Sequence, residues 1–533
     1  MSHPRPSLEK AAPADASLAE VPGPAPTTFK ANLRAQIETW HANRGERSVV
    51  AAMVPRPNPN NQVEGEVVSK NPIKLFARLT PMGAAQYFCG WFCWMCDGLD
   101  YFAVSVTMSA LAVQFDKSTA DISFSLTLTL LFRSLGAFIF GILADRYGRR
   151  WTLVANMLLI AVFELASGFV NTYAQFLGVR ACFGIVMGGV WGQASGQAFE
   201  NIPFELRGIL AVPLQAGYTV GYILAAVFNL TVVQYSPYGW RAVYFIGAGF
   251  SLAAAILRAV LPDSPQYIEA RREAKANGVS GREAMRRFFR EIWGMLKTNW
   301  LRCIWALVFM SAMNFLSHGS QDLLPTFLIK SKGLTNKQSS RATIIANTIG
   351  LVIGPVFGYI SQYLGRRLTM IVGIVWIGGW IPLWILPNSF GGLAVGAGMV
   401  QSGVIGLWGI TGLLLAEIAP PAFRALFTGL LYQLGNMVSS ASAQIEASAG
   451  DKIRITVNGV DAPDYGTVQA IFLGAVCGGL LLTILFGPDA DGSRFENAKV
   501  AIQENAGMAR TVDMVREAHE ERRGLERDVK IKV

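Results

Sequence analysis

"GILADRYGRR" at residues 141–150 and "GYISQYLGRR" at residues 358–367 share two glycines and two closing arginines, at an offset of 217 residues. The same offset carries Trp191 onto Trp408, Glu200 onto Glu417, Pro203 onto Pro420 and Arg207 onto Arg424. One register joining two separate motifs is hard to obtain by chance, so the chain is read as two related halves. Parallel repeats related by an axis along the membrane normal are the architecture of one class of transporters.

Composition agrees with a membrane setting. Of 533 residues, 52% are hydrophobic and 15% charged, with a mean hydropathy of +0.35. An ordinary soluble domain carries about a quarter charged residues. A helix needs about 20 mostly apolar residues to cross a bilayer. Such stretches lie at 84–113, 122–143, 151–170, 175–199, 208–233, 241–262, 301–329, 340–363, 368–386, 391–417, 424–447 and 466–487. The expectation is an all-α membrane protein with twelve transmembrane helices in two pseudo-symmetric six-helix halves, which excludes a soluble enzyme. The domains are a polar tail at 1–83, an amino-terminal half at 84–262, a basic linker at 263–299, a carboxy-terminal half at 300–487 and a charged tail at 488–533.

Positive charge orients the spans. Arg146, Arg149 and Arg150 follow the second span, Arg207 the fourth, and Arg366 and Arg367 the eighth; the linker carries eight Lys or Arg. All fall on one side, which makes both termini cytoplasmic; the 330–341 turn, with Lys330, Lys332, Lys337 and Arg341, is the exception. The Pro-rich tail precedes the first apolar run, so no cleavable signal is expected, and it reads as disordered. Its lysines, such as Lys10 and Lys30, are candidate attachment points for trafficking and ubiquitination machinery. The net charge of +10 does not indicate nucleic acid, because the basic residues sit beside apolar segments. Cys89, Cys93 and Cys96 share one span and Cys182, Cys303 and Cys477 are scattered. These read as packing thiols, with neither a disulfide framework nor a metal or cofactor expected. "NLT" at Asn229 matches a glycosylation pattern but lies within a span, so it is expected unmodified.

"GILADRYGRR" resembles the loop motif of the major facilitator superfamily between its second and third helices. The resemblance implies that Gly141 and Gly148 let helices approach closely, and that Asp145 forms a charge latch with Arg146, Arg149 and Arg150. Glu200, Arg207, Glu417 and Arg424 belong to the same gating group. Gln362 replaces the aspartate in the second copy, so any latch there is weaker.

Charged groups inside a span are functional hypotheses by default. Asp97 and Asp100, in "CWMCDGLDYFAVSV", and Arg133, in "LLFRSLGAF", each lie near the midplane, roughly 20 Å in at 1.5 Å per residue. One reading is a structural ion pair between the first two spans. The other gives Arg133, a permanently charged planar fork, to a substrate carboxylate, with the aspartates titratable. Arg180, before Gly184, Gly188 and Gly189, stands open between a packing and a direct role.

In "NFLSHGSQDLLPT" (314–326), Asn314, Ser317, His318, Gln321 and Pro325 share one helix face, with Asp322 at its edge. In lipid such a stripe must face a cavity or a polar partner. The 217 offset lays Asp97 on Asn314, Asp100 on Ser317 and Tyr101 on His318, so both stripes should face a central pathway. Of four histidines only His318 lies in a span. Asp322 follows at i+4, and an unperturbed imidazole titrates near about 6.5.

The same stretch resembles the signature of the Jen-type fungal carboxylate transporters: Asn314, Ser317, His318, Ser320, Gln321, Asp322 and Thr326 fill each fixed position. The resemblance implies a plasma-membrane, proton-coupled symporter of short carboxylates (lactate, pyruvate, or dicarboxylates such as succinate and malate), acting as a monomer. It implies substrate binding by Arg133, Asn314, His318, Gln321, Gln433 and Asn436. Proton coupling falls to His318 and Asp322, with Asp97 and Asp100 as alternatives. The phrase "DGLDYF" resembles acid:proton symporters generally, which keeps larger acids (sialic or aromatic) as an alternative, beside a nutrient sensor that binds without transporting. Partners are the carboxylate, protons and membrane lipid.

Overall fold

A chain segment in hydrocarbon must satisfy its backbone internally, and apolar runs do so as helices. The computed structural model describes residues 79–200, 202, 204–262, 290, 293–294, 296–297, 299–419, 424–457 and 459–488. The tail and most linker readings, with Lys10 and Lys30, lie outside the described residues. In chain order the helices are α1 (Pro81–Phe115), α2 (Thr119–Tyr147), α3 (Arg149–Phe169), α4 (Tyr173–Met187), α5 (Val190–Glu200), α6 (Phe204–Phe228) and α7 (Arg241–Val260). There follow α8 (Trp300–Gln321), α9 (Leu324–Lys330), α10 (Asn336–Leu364), α11 (Arg366–Ile385), α12 (Phe390–Ile418), α13 (Arg424–Ser439), α14 (Ser442–Gly450) and α15 (Tyr465–Leu485).

Each expected span is present, but three are broken. The fourth span divides at Gly188–Gly189 into α4 and α5. The seventh divides at Asp322–Leu323 into α8 and α9, where Pro325 lacks the amide that would continue the ladder. The eleventh divides into α13 and α14. Eleven segments of the described chain are long and apolar enough to cross a membrane; the eleventh expected span, which carries Gln433, Asn436, Ser439, Ser440, Ser442 and Gln444, is not among them. One element was not expected: β1 (Arg454–Val457) pairs antiparallel with β2 (Val460–Pro463) between α14 and α15.

The repeat is visible in local chemistry. Ser118 and Thr335, 217 residues apart, open α2 and α10 with the same reciprocal cap, Ser118 with Asp121 and Thr335 with Gln338. Thr172 and Ser389, again 217 apart, cap α4 and α12. Each such cap contributes about 1 kcal/mol. Gly148 (φ 98°) and Gly365 (φ 84°) make the equivalent turns from α2 into α3 and from α10 into α11. A side chain is strained at such φ values, which is why glycine recurs.

The last arginine of each turn motif reaches the end of a sixth span. Arg150 donates to the Ala259 carbonyl in the last turn of α7. Its counterpart Arg367 donates to the Ile484 and Leu485 carbonyls at the end of α15, at 2.9 and 3.0 Å. In both halves this arginine satisfies end carbonyls of the sixth span and complements the helix dipole. Gly141 is exposed, and a Cβ there would meet nothing within 4 Å, so it does not serve close approach. The side chains of Asp145, Arg146, Glu200, Arg207, Glu417 and Arg424 lie outside the described residues.

In the amino-terminal half α1 packs against α5, α6 and α7. In the carboxy-terminal half α8 packs against α13 and α15, and α10 against α12. The halves meet along α6 with α10 and α12, α2 with α13 and α14, and α1 with α9. All six cysteines are free thiols.

Candidate functional site

Between the halves lies a small cavity of about 30 Å³, bounded by Gln215, Tyr218 and Thr219 of α6 and Asn314, Ser317, His318 and Gln321 of α8. Ile405 and Trp408 of α12 and Tyr432 of α13 complete it. A water needs about 10–15 Å³ by this measure, so the cavity has room for one or two. The two halves are in contact on either side of it. Toward the Gly148 end, Val212 of α6 packs against Gly358 and Gly409. Toward the other end, Lys330 Nζ donates to Thr119 Oγ1 at 2.6 Å and the Asn229 amide to Ser340 Oγ at 3.1 Å, each tie joining the two halves. Asn229 thus spends its amide on a helix contact inside the protein.

The polar stripe of α8 faces this cavity with all four of its expected polar members. Ser317 Oγ donates to Gln321 Oε1 at 3.2 Å, and Gln321 Nε2 to Gln401 Oε1 of α12 at 2.8 Å. Asn314 Nδ2 donates to its own helix, at Met310 O. Asp322 sits behind the stripe, at the break before α9. Its Oδ2 accepts from Tyr101 Oη at 2.9 Å and lies 3.1 Å from His318 Nδ1. Tyr101 Oη is also 3.2 Å from His318 Nδ1, and His318 Nε2 is 3.2 Å from Asn436 Oδ1. Asn436 Nδ2 in turn donates to Tyr432 O. Both imidazole nitrogens therefore face acceptors. Protonated on both, the ring donates to each; protonated on Nε2 alone, it still donates to Asn436 and Nδ1 faces the Tyr101 hydroxyl; protonated on Nδ1 alone, it needs the Asn436 amide to turn over. The proton on His318 and the orientation of Asn436 are thus linked.

Arg133 and Asp97 are fully buried and joined by one bond, Nη2 to Oδ2 at 2.6 Å. Arg133 Nε and Nη1 and Asp97 Oδ1 have no hydrogen-bond partner. The guanidinium lies 5.7 Å from the Trp94 ring and 5.8 Å from the Tyr432 ring, within cation–π range. It does not line the cavity; Tyr218 and Tyr432, both neighbours of the guanidinium, do. Trp191 and Trp408, counterparts in the repeat, each stand 5.7 Å from that same Tyr432 ring. α2 and α4 approach closely enough to hold Arg133 in place because Gly184 and Gly188 have no side chain: a Cβ would run into the carbonyls of Thr129 and Arg133.

Asp100 departs from the expectation. It neither pairs with Arg133 nor faces the cavity. Its Oδ2 accepts from Ser251 Oγ of α7 at 2.7 Å, inside the amino-terminal half. Arg180 is close by, paired with Glu164 of α3 at 2.9 Å, both fully buried, and reaching the Asp100 carbonyl at 3.5 Å. Of the amides of α13, Gln433 donates to Gly188 O at 3.3 Å, and neither it nor Asn436 lines the cavity itself.

Glu164 and Glu446 are each a lone acid in an apolar span, a signal of the same kind as that of Asp97 and Asp100. Gln401 and Tyr218 carried no such signal; only packing brings them to the site.

A family model described as Major Facilitator Superfamily matches residues 90–443. The carboxylic acid transporter protein homolog of Saccharomyces cerevisiae is 32% identical over 423 residues, 76% of this chain and 68% of that protein. The sialic acid transporter of Escherichia coli is 25% identical over 79% of this chain and 98% of its own length. The partially occluded inward-open xylose transporter of E. coli superposes with a TM-score of 0.59, covering 75% of this chain and 97% of that one at 16% identity, a likeness of fold alone.

Proposed function

The chain belongs to the Major Facilitator Superfamily and is a multi-pass membrane transporter, not an enzyme; on that premise we propose that it carries short carboxylates together with protons by alternating access of its two halves. The observation that supports this most is the half-used fork of Arg133: a fully buried guanidinium with Nε and Nη1 unpaired, near the cavity between the halves. A carboxylate matches that fork in plane and charge. Substrate entry requires Tyr432 to move aside, which a change in the packing of α13 on α2 would do. Asn314, Gln321, Gln433 and Asn436 then supply hydrogen bonds along the path. The 32% identity to a yeast carboxylic acid transporter homolog agrees with this substrate class.

Proton coupling draws support from charge balance. Five carboxylates are buried among the described residues, Asp97, Asp100, Glu164, Asp322 and Glu446. Within the spans they face the guanidiniums of Arg133 and Arg180 and the single imidazole of His318; buried Arg367 is committed to helix-end carbonyls, and Arg258 also reaches the carbonyls of Leu261 and Pro262. Unpaired buried charge is costly, so protons make up the difference. The linked pair His318 and Asn436 then offers a route from protonation to the substrate path. The protein works as a monomer in the plasma membrane, with both termini cytoplasmic.

Uptake of labelled lactate, pyruvate, succinate and malate at pH 5 and pH 7 tests the reading. Faster uptake at pH 5 with mutual competition supports it; uptake of none of the four overturns it. The 25% identity to a sialic acid transporter favours a larger acid as the second reading, which predicts uptake of that acid in the same assay and no competition from lactate.

A further inference from the structure

Of the five buried carboxylates, four have a close polar partner that anchors them: Asp97 with Arg133, Glu164 with Arg180, Asp322 with Tyr101 and His318, Asp100 with Ser251. Glu446 does not. It is fully buried on α14, with Oε2 3.4 Å from Gln469 Nε2 of α15 and Oε1 without a partner. Two further orphaned polar atoms belong to the same spot, Ser442 Oγ one turn earlier on α14 and Gln469 Oε1.

Among the described residues, the elements packed around α14 bring no cation bonded to Glu446. From α8 it faces Gly319, where a Cβ would lie 2.8 Å from Oε1; beside that glycine, His318 is engaged with Asp322 and Asn436, and Asp322 is of like sign. α15 presents Gln469, and Phe472 flanks the same glycine. From α2, neither Asp121 nor Arg133 is bonded to it; Asp121 is spent on Ser118 and Arg133 on Asp97. A bare carboxylate here is charged, desolvated and unpaired, which costs several kcal/mol. If the Gln469 amide turns over, its Oε1 takes the place of Nε2 beside Glu446 Oε2, where a carboxyl holding a proton donates its O–H to that orphaned acceptor.

Position makes this more than a satisfied acid. α14 lies beyond the break in the eleventh span and packs on α2 of the other half. Any movement of one half against the other therefore changes what surrounds Glu446.

We propose that Glu446 is a proton carrier of the transport cycle: it takes up a proton when α14 parts from α2 and holds it while the two helices are packed together. The O–H bond forms with a proton arriving from the end that this parting opens; it breaks by transfer to the carboxylate of Asp322, from which the proton leaves toward the Gly148 end. This rests on the proton-coupled reading above.

Full-length wild type, Glu446→Gln and Glu446→Asp in proteoliposomes test it by two assays: exchange of labelled lactate across the membrane, and accumulation driven by an acid-outside pH gradient. Glu446→Gln, which imitates the protonated state, should keep exchange and lose accumulation; Glu446→Asp should recover part of the accumulation. Accumulation by Glu446→Gln at the wild-type level overturns the proposal while leaving coupling intact. Loss of exchange together with accumulation in well-inserted Glu446→Gln overturns it in favour of a packing role. Absence of gradient-driven accumulation in wild type overturns the coupling reading and this proposal together.

Discussion

Tyr101 and His318 stand 217 residues apart, occupy equivalent positions in the two halves, and meet with Oη 3.2 Å from Nδ1. A residue that touches its own counterpart in a two-fold repeat lies beside the axis. This contact therefore marks the centre of the molecule, and Asp322, which accepts from Tyr101 at 2.9 Å, is held at the same point. Neither half can turn about the other without disturbing it.

Tyr101→Phe removes the hydroxyl shared by His318 and Asp322 and keeps the ring. A hydrogen bond to a charged group is worth about 1.5–3 kcal/mol. Uptake should fall about tenfold or more at equal membrane level, by that magnitude, and the pH profile of uptake should shift. An unchanged profile would mean that the hydroxyl only fills space.

The Arg133–Asp97 pair separates a structural role from a transport role. Arg133→Ala strands a buried aspartate, which costs about 3–5 kcal/mol of stability. Adding Asp97→Asn removes that charge, so the double variant should regain thermal stability while lactate uptake stays lost. Recovery of uptake in the double variant would reduce the pair to a helix clamp.

Gly188→Ala places a methyl group against the Arg133 carbonyl, and α2 has no room to retreat without moving the guanidinium. Overpacking of this kind costs about 1–3 kcal/mol. The unfolding temperature should drop and substrate affinity should weaken. Gly141→Ala, with nothing within 4 Å of its Cβ, serves as the neutral control in both measurements.

Arg150→Gln and Arg367→Gln each lose a charged cap on the last carbonyls of a sixth span, worth about 1 kcal/mol. Both should lower thermal stability by similar amounts, because the two contacts are equivalent, and leave the KM for lactate unchanged. A large change in KM for either would return the motif to a gating role.

Much of this architecture was legible in the chain. Twelve apolar stretches, the 217-residue register and the polar face Asn314, Ser317, His318 and Gln321 led to the helices, the two halves and the cavity wall. The repeat reaches further than the motifs that revealed it, down to the caps at Ser118 and Thr335. What stayed hidden depends on packing around each helix axis. Asp97 and Asp100 are three residues apart and read as one stripe, yet they point to α2 and α7. α1 is buried almost continuously from Cys93 to Met108, so it is ringed by protein and each polar face finds its own partner. The break in the eleventh span follows no proline and could not be read from residue type. The hairpin β1–β2 is too short for its alternation to stand out.

The central claim is that carboxylate and proton move together. The most direct measurement is the external pH of a lightly buffered suspension of cells or proteoliposomes bearing the wild-type chain, recorded as lactate is added. The account predicts an immediate alkalinisation that scales with lactate uptake and is absent with Arg133→Ala/Asp97→Asn. Lactate uptake without any accompanying proton entry would contradict it.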